Sequence, residues 1–190
     1  EANFEDYWKQ LRDEADEMSV VWSQGHAHFV NWEIEDPNDW PHHDELVRRS
    51  IIGAGIMGVK TLVVHPKTMP DSTWYSRKAS LALNVESFEK YLTWAAPYGI
   101  TLAVENLSEK RIGRRFGSGP EELLELIDAL ADPALGICWD TGHAHISGIN
   151  QTEALQRIGG HLKALHISDN HGEQDEHLAP LKGTIDWAPI

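Results

Sequence analysis

The chain has 190 residues, 41% of them hydrophobic and 24% charged, which fits one soluble domain with a sizeable core. Its formal net charge of −14, from 16 Lys and Arg against 30 Asp and Glu, argues against a nucleic-acid surface unless basic groups or metals are concentrated locally. No apolar run is long enough to span a bilayer, and the single cysteine, Cys138, excludes an intrachain disulfide framework.

Residues 3 to 17 place Phe4, Tyr7, Trp8, Leu11 and Ala15 at helical spacing. The first residues, EANFEDYWKQ, show neither a basic n-region nor an apolar h-region, so no signal peptide is expected there and a cytoplasmic location is compatible. They also lack an initiator methionine, as a sequence that begins inside a longer chain would. A strand is predicted over 20 to 24, followed by Gly25, His26, Ala27 and His28. A polar, proline-punctuated loop then leads to a helix from about Asp44 to Met57, closed by Gly58. His42 and His43, at the polar start of this helix, are read as solvated. Thr61 to His65 is the next strand, and a helix follows with Leu81, Val85, Phe88, Leu92 and Ala95 on one face. Pro97 and Gly99 end it before a strand over Ile100 to Glu105. A loop carrying Lys110, Arg111, Arg114 and Arg115 precedes a helix that opens at Pro120. Leu135 to Trp139 reads as a buried strand delivering Asp140, with Thr141 and Gly142 as a turn before His143. A helix near Gln151 to Ile158 and a strand over Leu162 to Ile167 complete the alternation.

Strands alternating with helices predict a parallel sheet covered by helices. An open doubly wound sheet gathers its site at one switch point, so few strand ends take part. Here His26, His65, Glu105, Asp140 and His166 each end a different strand, which suits strands converging on one mouth. The expected fold is therefore a (β/α)8 TIM barrel, with residues 1–190 a single domain. Five strands fall short of eight, and such a barrel commonly needs about 250 residues. The barrel is thus expected to be incomplete in this sequence, lacking a first strand and the last strands.

Imidazoles and carboxylates gathered at one mouth suit a divalent ion of the Zn, Mn, Co or Mg kind. Glu105, Asp140 and His166 make a carboxylate-rich ligand set. His26 and His65 can hold a second ion bridged by Glu105, and Asp175 and His177 a third together with His143. His28, His145, His161 and His171 are left without a role, and Asp169 and Asn170 are read as satisfying turn backbone groups.

VVHP at 63–66, AVEN at 103–106, CWDTGHAH at 138–145 and LHISDN at 165–170 resemble the xylose isomerase-like TIM-barrel superfamily, which includes sugar phosphate isomerases and epimerases and endonuclease IV. The resemblance runs from about Ser19 to Trp187. It implies metal at the C-terminal mouth, with Glu105, Asp140 and His166 matching the shared ligands. A further glutamate on a later strand has no counterpart here. His26, His65, His143, Asp175 and His177 match the additional ligands of the endonuclease branch.

The leading expectation is a metal-dependent sugar or sugar-phosphate isomerase or epimerase working by proton transfer through an enediolate. Glu105 is the candidate base and His143 a catalytic partner that orients the substrate. Trp74, Tyr75 and Trp139 are candidates for an apolar wall, although packing in the core or under a loop is the favoured reading of each. Arg114 and Arg115, with Lys110 and Arg111, are candidates for binding a substrate phosphate or carboxylate, although a solvated loop offsetting the acidic chain is the favoured reading. The alternatives are a tri-metal phosphodiesterase of the endonuclease IV type and a non-catalytic barrel that binds metal or sugar. The sequence leaves homo-oligomer formation open.

Overall fold

The computed structural model describes residues 4–29, 37–69, 75–109 and 114–190. In chain order these form α1 (Phe4–Glu17), β1 (Gln24–His26), α2 (Trp40–Met57), β2 (Thr61–Val64), α3 (Arg77–Ala95), β3 (Thr101–Glu105), α4 (Pro120–Leu130), β4 (Leu135–Asp140), α5 (Thr141–Ile146), α6 (Gln151–Ile158) and β5 (Leu162–His166). No helix among the described residues is long and apolar enough to cross a membrane.

All five strands are parallel and stand side by side in chain order, without the reversal that creates a switch point in a doubly wound sheet. The sheet is also strongly curved. In a flat sheet β2 and β5 would lie three strand spacings apart, roughly 14 Å. Here Cα atoms of the two approach within 8 Å. A parallel sheet that curls this far is an arc of a (β/α) barrel, with β1 and β5 as its edges among the described residues.

Alternation along the strands divides the core in two. Leu62, Val64, Leu102, Val104, Leu135, Ile137 and Trp139 meet the helices through Val47, Ile51, Phe88, Tyr91, Leu123, Leu126 and Ile158. Val63, Ala103, Cys138 and Ala164 form a separate buried cluster lining the concave side. These small side chains are what the tight curvature accommodates. Cys138 is therefore a packing residue, its thiol pushed up by burial and by the charges of Glu105 and Asp140. Trp139 belongs to the helix-facing core, where its Nε1–H donates to Gln151 Oε1 at 3.1 Å.

Three local expectations are corrected. The first strand covers Gln24–His26 rather than 20 to 24, because its partner β2 begins at Thr61, opposite Gln24, and no strand among the described residues pairs with those before it. Val21 is accordingly 89% exposed. The helix predicted from Asp44 begins at Trp40, with Pro41 in its first turn, where a missing N–H is harmless. This places His43 on the inward side, buried and stacked 5.9 Å from the His28 ring, while His42 stays exposed as expected. Finally, Thr141 and Gly142 are the start of α5 rather than a turn, because the Asp140 side chain caps it by accepting the His143 N–H at 2.8 Å.

After β5 the chain is tied back by Asp169, which is fully buried. Its Oδ1 accepts the N–H groups of Asn170 (2.8 Å) and Ile185 (3.2 Å), and its Oδ2 accepts Trp187 Nε1–H (3.0 Å). Burial alone would raise this carboxyl, but these donors outweigh it and hold it at about 2. A depressed carboxyl contributes stability that is present above its unfolded value, near 3.9, and is lost as pH falls through about 2. Asp169→Asn should therefore cost about 1–3 kcal/mol at neutral pH. Thermal melts from pH 7 to pH 2 should show a shallower acid limb for the variant than for the wild type; parallel limbs would contradict this role.

Candidate metal centre

The C-terminal ends of the strands and the start of α5 gather five of the expected residues around a sixth, the buried carboxylate of Glu105. Glu105, 1% exposed, ends β3. Its Oε2 lies 3.0 Å from His26 Nε2 and 3.1 Å from His65 Nε2. Its Oε1 accepts from His166 Nδ1 at 2.7 Å and lies 3.5 Å from His143 Nδ1. Asp140, ending β4, turns its Oδ2 toward the same space, 3.7 Å from His166 Nδ1 and 4.0 Å from His143 Nδ1. Two sets, His26–Glu105–His166 and Glu105–Asp140–His143, have their donor atoms within 4.8 Å of one another, close enough to hold an ion.

Asp175 and His177 continue the cluster outward. Asp175 Oδ2 lies 3.3 Å from His143 Nε2 and 3.0 Å from His177 Nε2. His177 is the outermost of the set, with its side chain 69% exposed.

The protonation pattern fits a cation. Carbonyls only accept, so His26 Nδ1, 2.7 Å from Ala27 O, and His143 Nδ1, 2.8 Å from Asn106 O, must carry hydrogen. Each ring then turns Nε2 toward a carboxylate oxygen, of Glu105 and Asp175 respectively. A lone pair facing a carboxylate is repulsive unless a proton or a metal ion stands between them. Mixed imidazole and carboxylate donors are those that Zn, Mn and Co accept.

The electrostatics agree. Burial would push the Glu105 carboxyl up, but hydrogen bonds from His166, His26 and His65 prevail and hold it well below the usual range. Burial opposes a charge on His143 also, yet Asp175, Asp140 and Glu105 together raise it to about 9. Asp175 is lowered to about 2, chiefly by His143. His166 is raised by its bond to Glu105, whereas burial dominates at His65 and lowers it. Burial raises Asp140, the one carboxyl here without an imidazole at hydrogen-bonding distance from its side chain.

The remaining candidates are placed differently. Trp74, Lys110 and Arg111 lie outside the described residues. Tyr75 hydrogen-bonds Glu122, and Arg114 lies over its ring at 5.1 Å. Arg114 is paired with Glu109 and, at 3.0 Å, with the buried Glu122, while the Arg115 carbonyl accepts from Ser118 Oγ. The residue that sequence reading passed over is Phe29. It is 59% exposed and sets its ring 5.3 Å from His26 and 4.9 Å from His65, an apolar surface beside the donors. Its position three residues after His26 was the only cue, since no periodicity marks a residue beyond a strand end.

Comparison with known proteins now bears on this geometry. The sequence model of the xylose isomerase-like TIM barrel matches residues 1–190. The chain belongs to that family. Protein MJ1311 of Methanocaldococcus jannaschii is 31% identical over 188 residues, 97% of this chain and 62% of that protein. A probable endonuclease 4 of Thermoplasma acidophilum is 27% identical over 177 residues, 86% of this chain and 59% of its own length. The chain thus spans about three-fifths of these relatives. Among solved structures, a D-tagatose 3-epimerase-like protein superposes with a TM-score of 0.81 at 28% identity, covering 96% of this chain and 69% of that one. The zinc-bound IOLI protein shares the fold, with a TM-score of 0.77 at 20% identity over 97% of this chain and 68% of that one. The family's members thus carry epimerase and endonuclease names on a barrel of this kind.

Proposed function

We propose that this chain is the metal-bearing part of a sugar or sugar-phosphate isomerase or epimerase dependent on a divalent ion. The observation that carries the reading is the ring of four imidazoles around Glu105, with Asp140 beside it, at the mouth of the strands. Glu105, Asp140 and His166 would hold the ion, and His26 or His65 would complete its coordination. When bound, such an ion supplies Lewis acidity toward the carbonyl and neighbouring hydroxyl of an open-chain sugar.

The chain's own groups do the rest. A carboxylate held as low as Glu105 is a poor proton acceptor while imidazole protons surround it. Ligation requires neutral imidazoles, which removes those protons and leaves a carboxylate oxygen able to take one from carbon. His143, which Asp175, Asp140 and Glu105 raise to about 9, would orient a substrate oxygen. Phe29 would give the sugar an apolar face to rest on. Arg114 already has two carboxylate partners, so holding a substrate phosphate would require it to exchange them.

The test is metal content by plasma mass spectrometry on full-length protein purified without chelator or histidine tag, followed by a screen of ketoses for exchange of the proton beside the carbonyl. About one ion per chain with solvent-hydrogen exchange into a ketose supports the reading. Absence of metal even after reconstitution would refute it. The second reading, a tri-metal phosphodiesterase, draws on the outer His143–Asp175–His177 group and on the endonuclease names among the relatives. Its obstacle is charge, since 16 basic residues against 30 acidic ones offer little to a nucleic-acid backbone. Two or three zinc ions with phosphodiester cleavage would establish it in place of the first.

A further inference from the structure

The two carboxylates of the site stand on neighbouring strands, but the regular ladder between those strands stops before it reaches the second one. β3 and β4 pair as far as Glu105 with Cys138, and Asp140 lies two residues beyond, where the chain bends into α5. A single side chain bridges the gap. Asn106, fully buried, donates from Nδ2 to the Asp140 carbonyl at 3.0 Å and accepts the Asp140 N–H on Oδ1 at 2.6 Å. Its own N–H donates to Cys138 O at 3.3 Å. The amide thus stands in for the next pair of the ladder, made by a side chain because the β4 backbone has begun to turn.

The same residue reaches the third member of the group. The Asn106 carbonyl accepts from His143 Nδ1, which decides that Nε2 is the nitrogen turned toward Asp175. Asn106 is therefore bonded covalently to Glu105, grips both backbone polar groups of Asp140, and sets the ring orientation of His143. Its side chain is spent on the Asp140 backbone, so it contributes no donor to the ion itself.

We propose that Asn106 is a positioning residue for the metal centre. It ties the end of β4 to the end of β3, so that the Glu105 and Asp140 carboxylates face one space, and it fixes the ring of His143 beside them. The inference rests on the metal reading above. Its physical basis is that an apolar side chain at 106 leaves the Asp140 N–H and C=O buried without partners. The end of β4 can relieve that only by moving away from β3, and the Asp140 carboxylate moves with it. Changing groups that orient metal ligands typically weakens metal binding about 10- to 100-fold.

The test is Co2+ binding to the full-length protein, followed by calorimetry and by the visible absorption of the bound ion, alongside the melting temperature of the ion-free form. Asn106→Leu keeps the size and removes both hydrogen bonds; about 100-fold weaker Co2+ binding and an altered absorption spectrum are expected. Asn106→Asp keeps the acceptor for the Asp140 N–H but sets an oxygen against the Asp140 carbonyl, and should weaken binding about 10-fold. Leu126→Ala, a cavity in the buried face of α4 away from the site, should lower the melting temperature with unchanged Co2+ affinity. The proposal is overturned if either Asn106 variant binds Co2+ as the wild type does, or if Leu126→Ala weakens binding equally. Wild-type protein that binds no Co2+ refutes the metal reading itself, an outcome distinct from failure at Asn106 alone.

Discussion

Glu105→Gln should abolish metal loading, with an affinity loss above the roughly 100-fold that changes to outlying groups cause at their largest. The expectation follows from the number of partners on one side chain. Both carboxylate oxygens of Glu105 are engaged, Oε2 by His26 and His65 and Oε1 by His166, with His143 nearby. An amide of the same shape carries no charge and offers one acceptor in place of two. Its NH2 group would face imidazole nitrogens that need an acceptor or an ion. Any activity that uses Glu105 as a proton acceptor should fall by a further 10²- to 10⁴-fold, the usual contribution of acid–base catalysis. Measuring ion affinity and turnover on the same preparation separates the two effects. A Gln variant that keeps its metal would remove Glu105 from the ligand set. One that keeps its turnover would remove it from the chemistry.

Trp139→Ala should give the largest loss of stability, about 3–5 kcal/mol from the cavity alone. Trp139 is completely buried on the helix-facing side of β4, and its Nε1–H is the partner of Gln151 Oε1. Removing the ring also leaves that amide oxygen buried without its donor, which adds to the cost. Domains are typically stable by only 5–15 kcal/mol, and at about 2–4 °C per kcal/mol the melting temperature should drop by roughly 6–20 °C. Trp139→Phe keeps most of the ring volume and should lose far less. Urea melts of the two variants decide the matter: equal losses would mean that the hydrogen bond, rather than packing, anchors this strand. The consequence reaches the site, because Trp139 precedes Asp140 and fixes the end of β4 from which that carboxylate projects.

Sequence and structure contributed different things. Strand positions were legible because buried apolar runs such as Leu62–Val64 and Leu102–Val104 have few alternatives, and because glycines and prolines mark where they stop. The candidate ligand types stood out for a related reason. A polar residue that directly ends an apolar strand has few structural explanations, and five in a row suggested a shared mouth. The family resemblance rested on those same stretches.

Where the local signal was weak, reading along the chain failed. α5 has six residues, too few to show a helical period, and its existence depends on a cap from the Asp140 side chain. The start of β1 depends on where β2 begins, a fact of pairing rather than of composition. His43 is buried because α2 begins four residues earlier than expected and turns that residue inward.

The sequence by itself determined that strands and helices alternate, that carboxylates and imidazoles end the strands, and that the net charge is acidic, since each of these is read along the chain without its fold. Only the tertiary structure decided that β3 alone supplies the central carboxylate, that four imidazoles from four separate stretches converge on it, and that Arg114 is held by Glu109 and Glu122. Those relations join residues up to 79 positions apart. They follow from the curvature and register of the sheet, which arise from packing the whole chain and leave no trace in any short stretch of it.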